Sequence, residues 1–147
     1  MLLGINPLVT PELMLCLMEM GHGDELVLAD ANFPAYSTAA TTVSGRVVSM
    51  TGLNMPQVVE LITELMPLDA FTDFCALQMQ VDNAPRQINP VHEATNAVIR
   101  AAMPGDAALE SIERQDFYAR AAKAFAVVQT SEDRPFGCYI LRKGVVF

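Results

Sequence analysis

The stretch Gly-His-Gly-Asp-Glu-Leu-Val-Leu-Ala-Asp, residues 21–30, combines an apolar core with polar residues at both of its ends. Residues 26–29 are apolar without polar alternation, a pattern typical of a strand that is covered on both faces. Gly23 and Asp30 bound this run as turn residues. We therefore predict a buried strand over Glu25–Ala29, with ionisable groups at each end.

Helix and strand patterns alternate along the rest of the chain. Thr10-Pro11-Glu12 is typical of a helix start, and Gly21 marks its end. Gln78 and Gln80 alternate with apolar residues and predict a strand with one polar face. The order predicts an α/β fold for residues 1–147, a single layered domain with helices packed on a mainly parallel sheet. Further helices are expected at residues 55–66, 89–103 and 115–123, and strands at 47–48, 74–81, 108–112, 125–128 and 139–141.

Composition limits the partners that the protein can have. The 147 residues are 52% apolar and 18% charged, which suits a folded core and excludes a largely disordered chain. Lysine and arginine number 9 against 17 acidic residues, a net charge of −8. This sign opposes phosphate backbones, so we expect neither nucleic acid nor a membrane surface as a partner.

The cysteines and the N-terminus favour a cytoplasmic protein. Cys16, Cys75 and Cys138 are an odd number without disulfide or zinc spacing, which suits a reducing compartment and predicts no metal site. No basic leader or membrane-length apolar stretch opens the chain. Its low charge fraction predicts that part of the apolar surface is covered in a homo-oligomer.

His22 lies between two glycines just before the predicted strand, and Asp30 follows it directly. A ligand can closely approach a histidine in such a setting, and imidazole exchanges protons near neutral pH. From spacing alone, His22 could equally end the first helix, and Asp30 could simply begin a turn. His92 follows Pro90 at a helix start, where we expect a solvated first-turn residue.

Two segments carry a family resemblance. Residues 8–34, LVTPELMLCLMEMGHGDELVLADANFP, resemble the N-terminal signature of the RbsD/FucU family of sugar mutarotases, and in particular its L-fucose branch. Residues 112–130, IERQDFYARAAKAFAVVQT, resemble a second signature of that branch. Shorter matches at residues 67–69 and 141–145 extend the resemblance to nearly the whole chain.

The resemblance implies an enzyme that interconverts the α and β anomers of a free monosaccharide without metal or organic cofactor. It also implies a homo-oligomer, for bacterial members a ring resembling a decamer, with sites between neighbouring subunits. The matching motifs assign proton transfer to His22 and Tyr118. They assign substrate binding to Asp30, Arg114 and Asp69, with orientation of the His22 imidazole as the alternative for Asp30 and hydroxyl binding as the alternative for Tyr118. A surface ion pair with Glu110 or Glu113 is the alternative for Arg114.

The chain departs from the family pattern at two places. The family usually has Tyr-x-Asn near the C-terminus, where this chain has Phe136-Gly137-Cys138, so Phe136 and Cys138 fall at substrate-binding positions. Residues 49–52, Ser-Met-Thr-Gly, replace a common Arg-Ala-Asp-Gly. Because these replacements remove polar groups that could bind the sugar, two alternatives to an L-fucose mutarotase stay open. These are a non-catalytic sugar-binding or assembly protein on the same fold, and a mutarotase or pyranase for ribose.

Overall fold

The computed structural model describes residues 2–147 and contains a six-stranded sheet. Five helices accompany it in these residues. In chain order the elements are α1 Pro11–Glu19, β1 Glu25–Ala29, α2 Ala35–Ala39, β2 Val47–Met50, α3 Met55–Thr63, β3 Ala76–Met79, α4 Pro90–Ala102, β4 Leu109–Ile112, α5 Arg114–Ala121, β5 Ala126–Thr130 and β6 Tyr139–Arg142.

The strand order is β2-β5-β1-β6-β3-β4, and only β6 runs against its neighbours. The other five strands therefore end at the same edge of the sheet, here called the carboxyl edge, where β6 begins. The opposite edge, where β6 ends, is called the amino edge. The predicted α/β class with a mainly parallel sheet is confirmed.

Helices cover both faces of the sheet, which explains why β1 has no polar alternation. Leu26 and Leu28 pack into one core with residues of α1, α3 and α4. Val27 and Ala29 pack into a second core with residues of α2 and α5. Successive strand residues point to opposite faces, so a strand between two helical layers needs apolar residues at every position.

Local signals explain where the helices start. Thr10 Oγ1 accepts a hydrogen bond from the Leu13 amide at 3.1 Å, and Pro11 occupies the first turn of α1, as predicted. At α3, the side chain of Asn54 accepts from the Gln57 amide at 3.1 Å, while Gln57 Oε1 accepts from the Asn54 amide at 3.0 Å. This reciprocal pair is a capping box that satisfies amides with no partner inside the helix.

The predicted polar face of the third strand is wrong. Gln78 is buried, and its Oε1 accepts a hydrogen bond from Asn96 Nδ2 of α4 at 2.7 Å. Tyr139 donates its hydroxyl to Asn96 Oδ1 at 2.9 Å. The amide side chain is tolerated in the core because α4 supplies its hydrogen-bond partner.

Gly144 fixes the contact between the end of β6 and the segment that precedes β3. A Cβ at this position would lie 2.6 Å from the carbonyl oxygen of Leu68, which is a backbone atom and cannot rotate away. Gly144→Ala should therefore lower the free energy of unfolding by about 1–3 kcal/mol. Chemical denaturation measures the change, with Gly105→Ala as the control, because a Cβ at Gly105 meets nothing within 4 Å. Equal stabilities of the two variants would contradict the prediction.

Candidate active site

A cavity of about 140 Å³ opens at the carboxyl edge. Five of the seven candidate residues from the sequence line it: Asp30, Arg114, Tyr118, Phe136 and Cys138. They come from four places in the chain, after β1, at the start of α5, within α5 and just before β6. The parallel strands bring them together because β1 and β4 end at this edge.

Asp30 is the buried carboxyl group of the cavity. Its Oδ1 accepts from the Asn32 amide at 3.0 Å, and its own amide donates to Cys138 Sγ at 3.4 Å. Burial raises the pKa of Asp30, and the hydrogen bonds from Cys138 and neighbouring amides offset only part of that rise. A carboxyl group with a raised pKa exchanges protons more readily near neutral pH. The turn-forming role considered for Asp30 is also present, through its bond to Asn32.

Tyr118 and Arg114 form the outer wall of the cavity. The Tyr118 ring stacks on Phe33, with 5.3 Å between ring centroids and an interplanar angle of 23°. Arg114 Cζ lies 5.9 Å from the Tyr118 centroid, and Arg114 Nε donates to Asp82 Oδ1 at 2.8 Å. Arg114 thus has an ion pair, but with Asp82 rather than with Glu110 or Glu113. Both Arg114 and Tyr118 remain half-buried at the mouth of the cavity.

Apolar side chains complete the cavity. Phe33, Met79 and Pro135 line it beside Phe136, and Asn32 adds a polar group. Burial raises the pKa of the Cys138 thiol well above its usual value, so the thiol stays neutral. The cavity lining therefore combines polar groups, from Asp30, Asn32, Arg114 and Tyr118, with apolar side chains.

His22 and Asp69 lie together at the amino edge. His22 Nε2 is 2.9 Å from Asp69 Oδ1, and because an ionised carboxylate only accepts, Nε2 donates and Nδ1 is left free. Asp69 has no exposed side-chain surface, whereas His22 is 44% exposed. Burial acts to raise the pKa of Asp69, but hydrogen bonds from Thr72, His22 and the Phe71 amide outweigh it and lower that pKa. Asp69, as a charged hydrogen-bond acceptor, thus holds the imidazole ring of His22 in one orientation.

The cavity at the carboxyl edge and the His22–Asp69 pair at the amino edge cannot contact the same sugar within one chain. His22 precedes β1 and Asp30 follows it, and the five residues of this strand span about 17 Å. A monosaccharide is too small to bridge that distance. The surface around His22 is instead aromatic and exposed: its ring meets Phe71 edge-on at 5.9 Å, and Phe147 lies 6.3 Å from Phe71.

Comparisons with known proteins identify the family of the chain. The model of the RbsD / FucU transport protein family matches residues 3–146. The chain belongs to the RbsD/FucU family. The human fucose mutarotase is 41% identical to this family member, with 97% of this chain and 93% of the human protein covered. The L-fucose mutarotase of Haemophilus influenzae strain 86-028NP is 42% identical, with 99% and 97% covered.

A solved structure extends the comparison to three dimensions. The fucose mutarotase of Streptococcus pneumoniae, solved in complex with L-fucose, aligns with a TM-score of 0.87. It is 36% identical, and the alignment covers 99% of this chain and 100% of that one. The family resemblance of residues 8–34 and 112–130 is therefore confirmed over the full length of the fold.

A groove larger than the cavity, of about 710 Å³, lies between the N-terminal segment and α1, and none of its lining residues is titratable. Within residues 2–147, no three His, Cys, Asp or Glu side chains are placed to hold a metal ion. In the same residues, no helix is long and apolar enough to cross a bilayer.

His92 was expected to be solvated, and this prediction is wrong. It is fully buried, its Nδ1 accepts from the Asn89 amide at 3.1 Å, and its Nε2 lies 2.9 Å from the Phe136 carbonyl oxygen. The spacing of Asn89 and His92 matches a helix cap whose third residue folds back, a signal that could have been recognised in the sequence. Thr72, which supports Asp69, gave no comparable signal.

Proposed function

We propose that this protein is a cofactor-independent L-fucose mutarotase, an isomerase that interconverts the α and β anomers of the free sugar. The observation that carries the proposal is the convergence of Asp30, Arg114 and Tyr118 in one small cavity. The full-length relatives named fucose mutarotase support the same reaction, and the Streptococcus pneumoniae structure holds L-fucose on the same fold.

The reaction needs one group that gives a proton and one that takes a proton. Ring opening breaks the bond between C1 and the ring oxygen, transfers a proton to that oxygen, and removes the proton of the anomeric hydroxyl to leave an aldehyde. Rotation about the C1–C2 bond then exposes the other face of the carbonyl, and closure reverses both proton transfers. No metal or covalent intermediate is required, because positioned acid and base groups suffice.

We assign these roles to side chains from both edges of the sheet. The imidazolium form of His22, which carries a proton on both nitrogens, gives its Nδ1 proton to the ring oxygen, since Nε2 donates to Asp69. Tyr118 takes part in proton transfer at the anomeric hydroxyl, and Asp30 and Arg114 bind sugar hydroxyl groups. Asp69 was expected among the substrate-binding residues, but its buried position supports orientation of His22 instead.

The separation of the two edges supports a site that is shared between subunits. The His22–Asp69 pair of one subunit would complete the cavity of its neighbour, with the exposed Phe71 and Phe147 covered in the contact. A closed homo-oligomeric ring satisfies this requirement for every subunit. A decamer stays our prediction for the number of subunits.

The apolar side chains of the cavity lining favour L-fucose over ribose. L-Fucose is a 6-deoxy sugar, so it carries a methyl group that an apolar wall of Phe136, Met79 and Phe33 can contact. Free ribose has no such group. Phe136 and Cys138 also remove two hydrogen-bonding groups from the usual Tyr-x-Asn, and the polar contacts that remain come from Asp30, Asn32, Arg114 and Tyr118.

Saturation-transfer NMR tests the proposal directly. The purified protein is added to L-fucose and, separately, to D-ribose, and the exchange rate between the α and β anomers is measured at equal protein concentration. We expect clear acceleration for L-fucose and a smaller one for ribose. Faster exchange of ribose would assign the protein to the ribose-type activity.

A binding protein without activity is the alternative, and the replacement of the tyrosine and asparagine by Phe136 and Cys138 favours it. The same spectra distinguish it, because such a protein broadens the L-fucose signals without accelerating anomer exchange.

We further propose a cytoplasmic location, supported by Cys16, Cys75 and Cys138, which are all buried and free.

A further inference from the structure

Phe136 has an unusual backbone conformation at the wall of the cavity. Its φ angle is +61°, in the left-handed region that residues with a bulky side chain rarely adopt. Such a conformation persists only where the surroundings impose it. Because φ sets the direction of the side chain, the position of the Phe136 ring depends on whatever holds this conformation.

The first turn of α4 supplies that restraint. His92 donates from Nε2 to the Phe136 carbonyl oxygen at 2.9 Å, and it accepts the Asn89 amide at Nδ1. The two bonds together fix a neutral ring in a single tautomer. The ring is fully buried and meets Tyr139 edge-on at 6.4 Å, so it has no freedom to turn.

Close packing around Gly137 also restricts movement of the loop that contains Phe136. A Cβ at Gly137 would lie 3.2 Å from Val91 Cγ2 and 3.0 Å from Glu132 Cγ. The loop before β6 therefore sits directly against the start of α4. A shift of Phe136 away from the cavity would need the His92 bond to break first.

We propose that His92 is a positioning residue for the sugar cavity: its hydrogen bond to the Phe136 carbonyl oxygen holds Phe136 in the left-handed conformation that places the ring against the sugar. The identity of the sugar in this inference rests on the proposed function, whereas the contact between His92 and Phe136 does not. It gives a role in sugar recognition to a helix that contributes no residue to the cavity lining. The competing explanation is that His92 only caps α4.

Two substitutions separate these roles. His92→Gln can keep both bonds, because a glutamine amide reaches as far as Nε2 and Gln57 already makes the equivalent cap in α3. His92→Asn can keep only the cap, because its Oδ1 replaces Nδ1 and nothing reaches Phe136. We expect His92→Asn to raise the KM for L-fucose about tenfold, the effect of one lost hydrogen bond, with kcat little changed. His92→Gln should keep the parent KM.

Gln57→Ala is the matched control, because the exposed Gln57 side chain makes its cap with Asn54 of the same helix start and does not line the cavity. It should lower the melting temperature without changing the KM. A parental KM for His92→Asn would overturn the inference. So would failure of His92→Asn to fold where Gln57→Ala folds, because His92 would then serve folding alone.

Crystal structures of the two His92 variants give a readout that does not depend on activity. Phe136 should keep a φ near its present value in His92→Gln and leave the left-handed region in His92→Asn. If the parent protein exchanges no sugar, the proposed function fails, while this comparison still decides the role of His92. An unchanged Phe136 in His92→Asn would contradict the inference.

Discussion

Replacing His22 by glutamine should slow the exchange of L-fucose anomers by on the order of 10²- to 10⁴-fold, the usual contribution of a positioned acid or base. Glutamine can keep a hydrogen bond to Asp69, but its amide does not exchange protons near neutral pH. The fold should be unaffected, because His22 lies outside the strands and helices and its side chain is partly exposed.

Saturation-transfer NMR measures the loss, and circular dichroism checks the fold. Glu12→Gln serves as the control, since Glu12 is an exposed carboxylate in the first turn of α1 and far from the proposed chemistry. A His22→Gln protein with parental exchange would transfer the acid role to Tyr118 or to a bound water, and would remove the mechanism proposed above.

Mixing two inactive variants should restore activity. In His22→Gln the amino edge is defective and the carboxyl edge intact, whereas Tyr118→Phe has the opposite defect. If each site combines the amino edge of one subunit with the carboxyl edge of another, co-assembly from equal amounts recreates about one quarter of the sites. Anomer exchange should therefore rise from near the background rate to about a quarter of the parent rate.

The control mixture combines His22→Gln with Asp69→Asn. Both changes affect the same edge, and the Asp69 partner is needed to orient His22 at Nε2. No combination of these subunits contains an intact amino edge, so this mixture should stay inactive. Activity in neither mixture would contradict the shared arrangement.

Local sequence patterns predicted most of the elements. The strand at Glu25–Ala29 is found as predicted, because an uninterrupted apolar run between turn residues allows few other structures. The helix Ala35–Ala39 was missed, because five residues are too short to show a helical period. Gln78 and His92 were placed in solvent because their buried partners, Asn96 and the Phe136 carbonyl oxygen, come from distant parts of the chain.

The candidate residues were identified by motif, but their grouping required the fold. His22 and Asp30 are only eight positions apart, yet the strand between them sends them to opposite edges. Asp30 and Cys138 are 108 positions apart and touch. Such pairings depend on strand order, in which β1 lies between β5 and β6, and no local pattern encodes that order.

The antiparallel strand β6 connects the two edges and has a glycine close to each end. A side chain at Gly137 would press on Val91 and Glu132, and one at Gly144 would meet the backbone of Leu68. Sliding β6 by one residue would drive a side chain into one of these contacts. Within one chain, the distance between the cavity and the His22–Asp69 pair is therefore fixed. Inserting or deleting a residue between 137 and 144 would disturb the contacts at both ends of β6, and with them both the cavity and the His22–Asp69 pair.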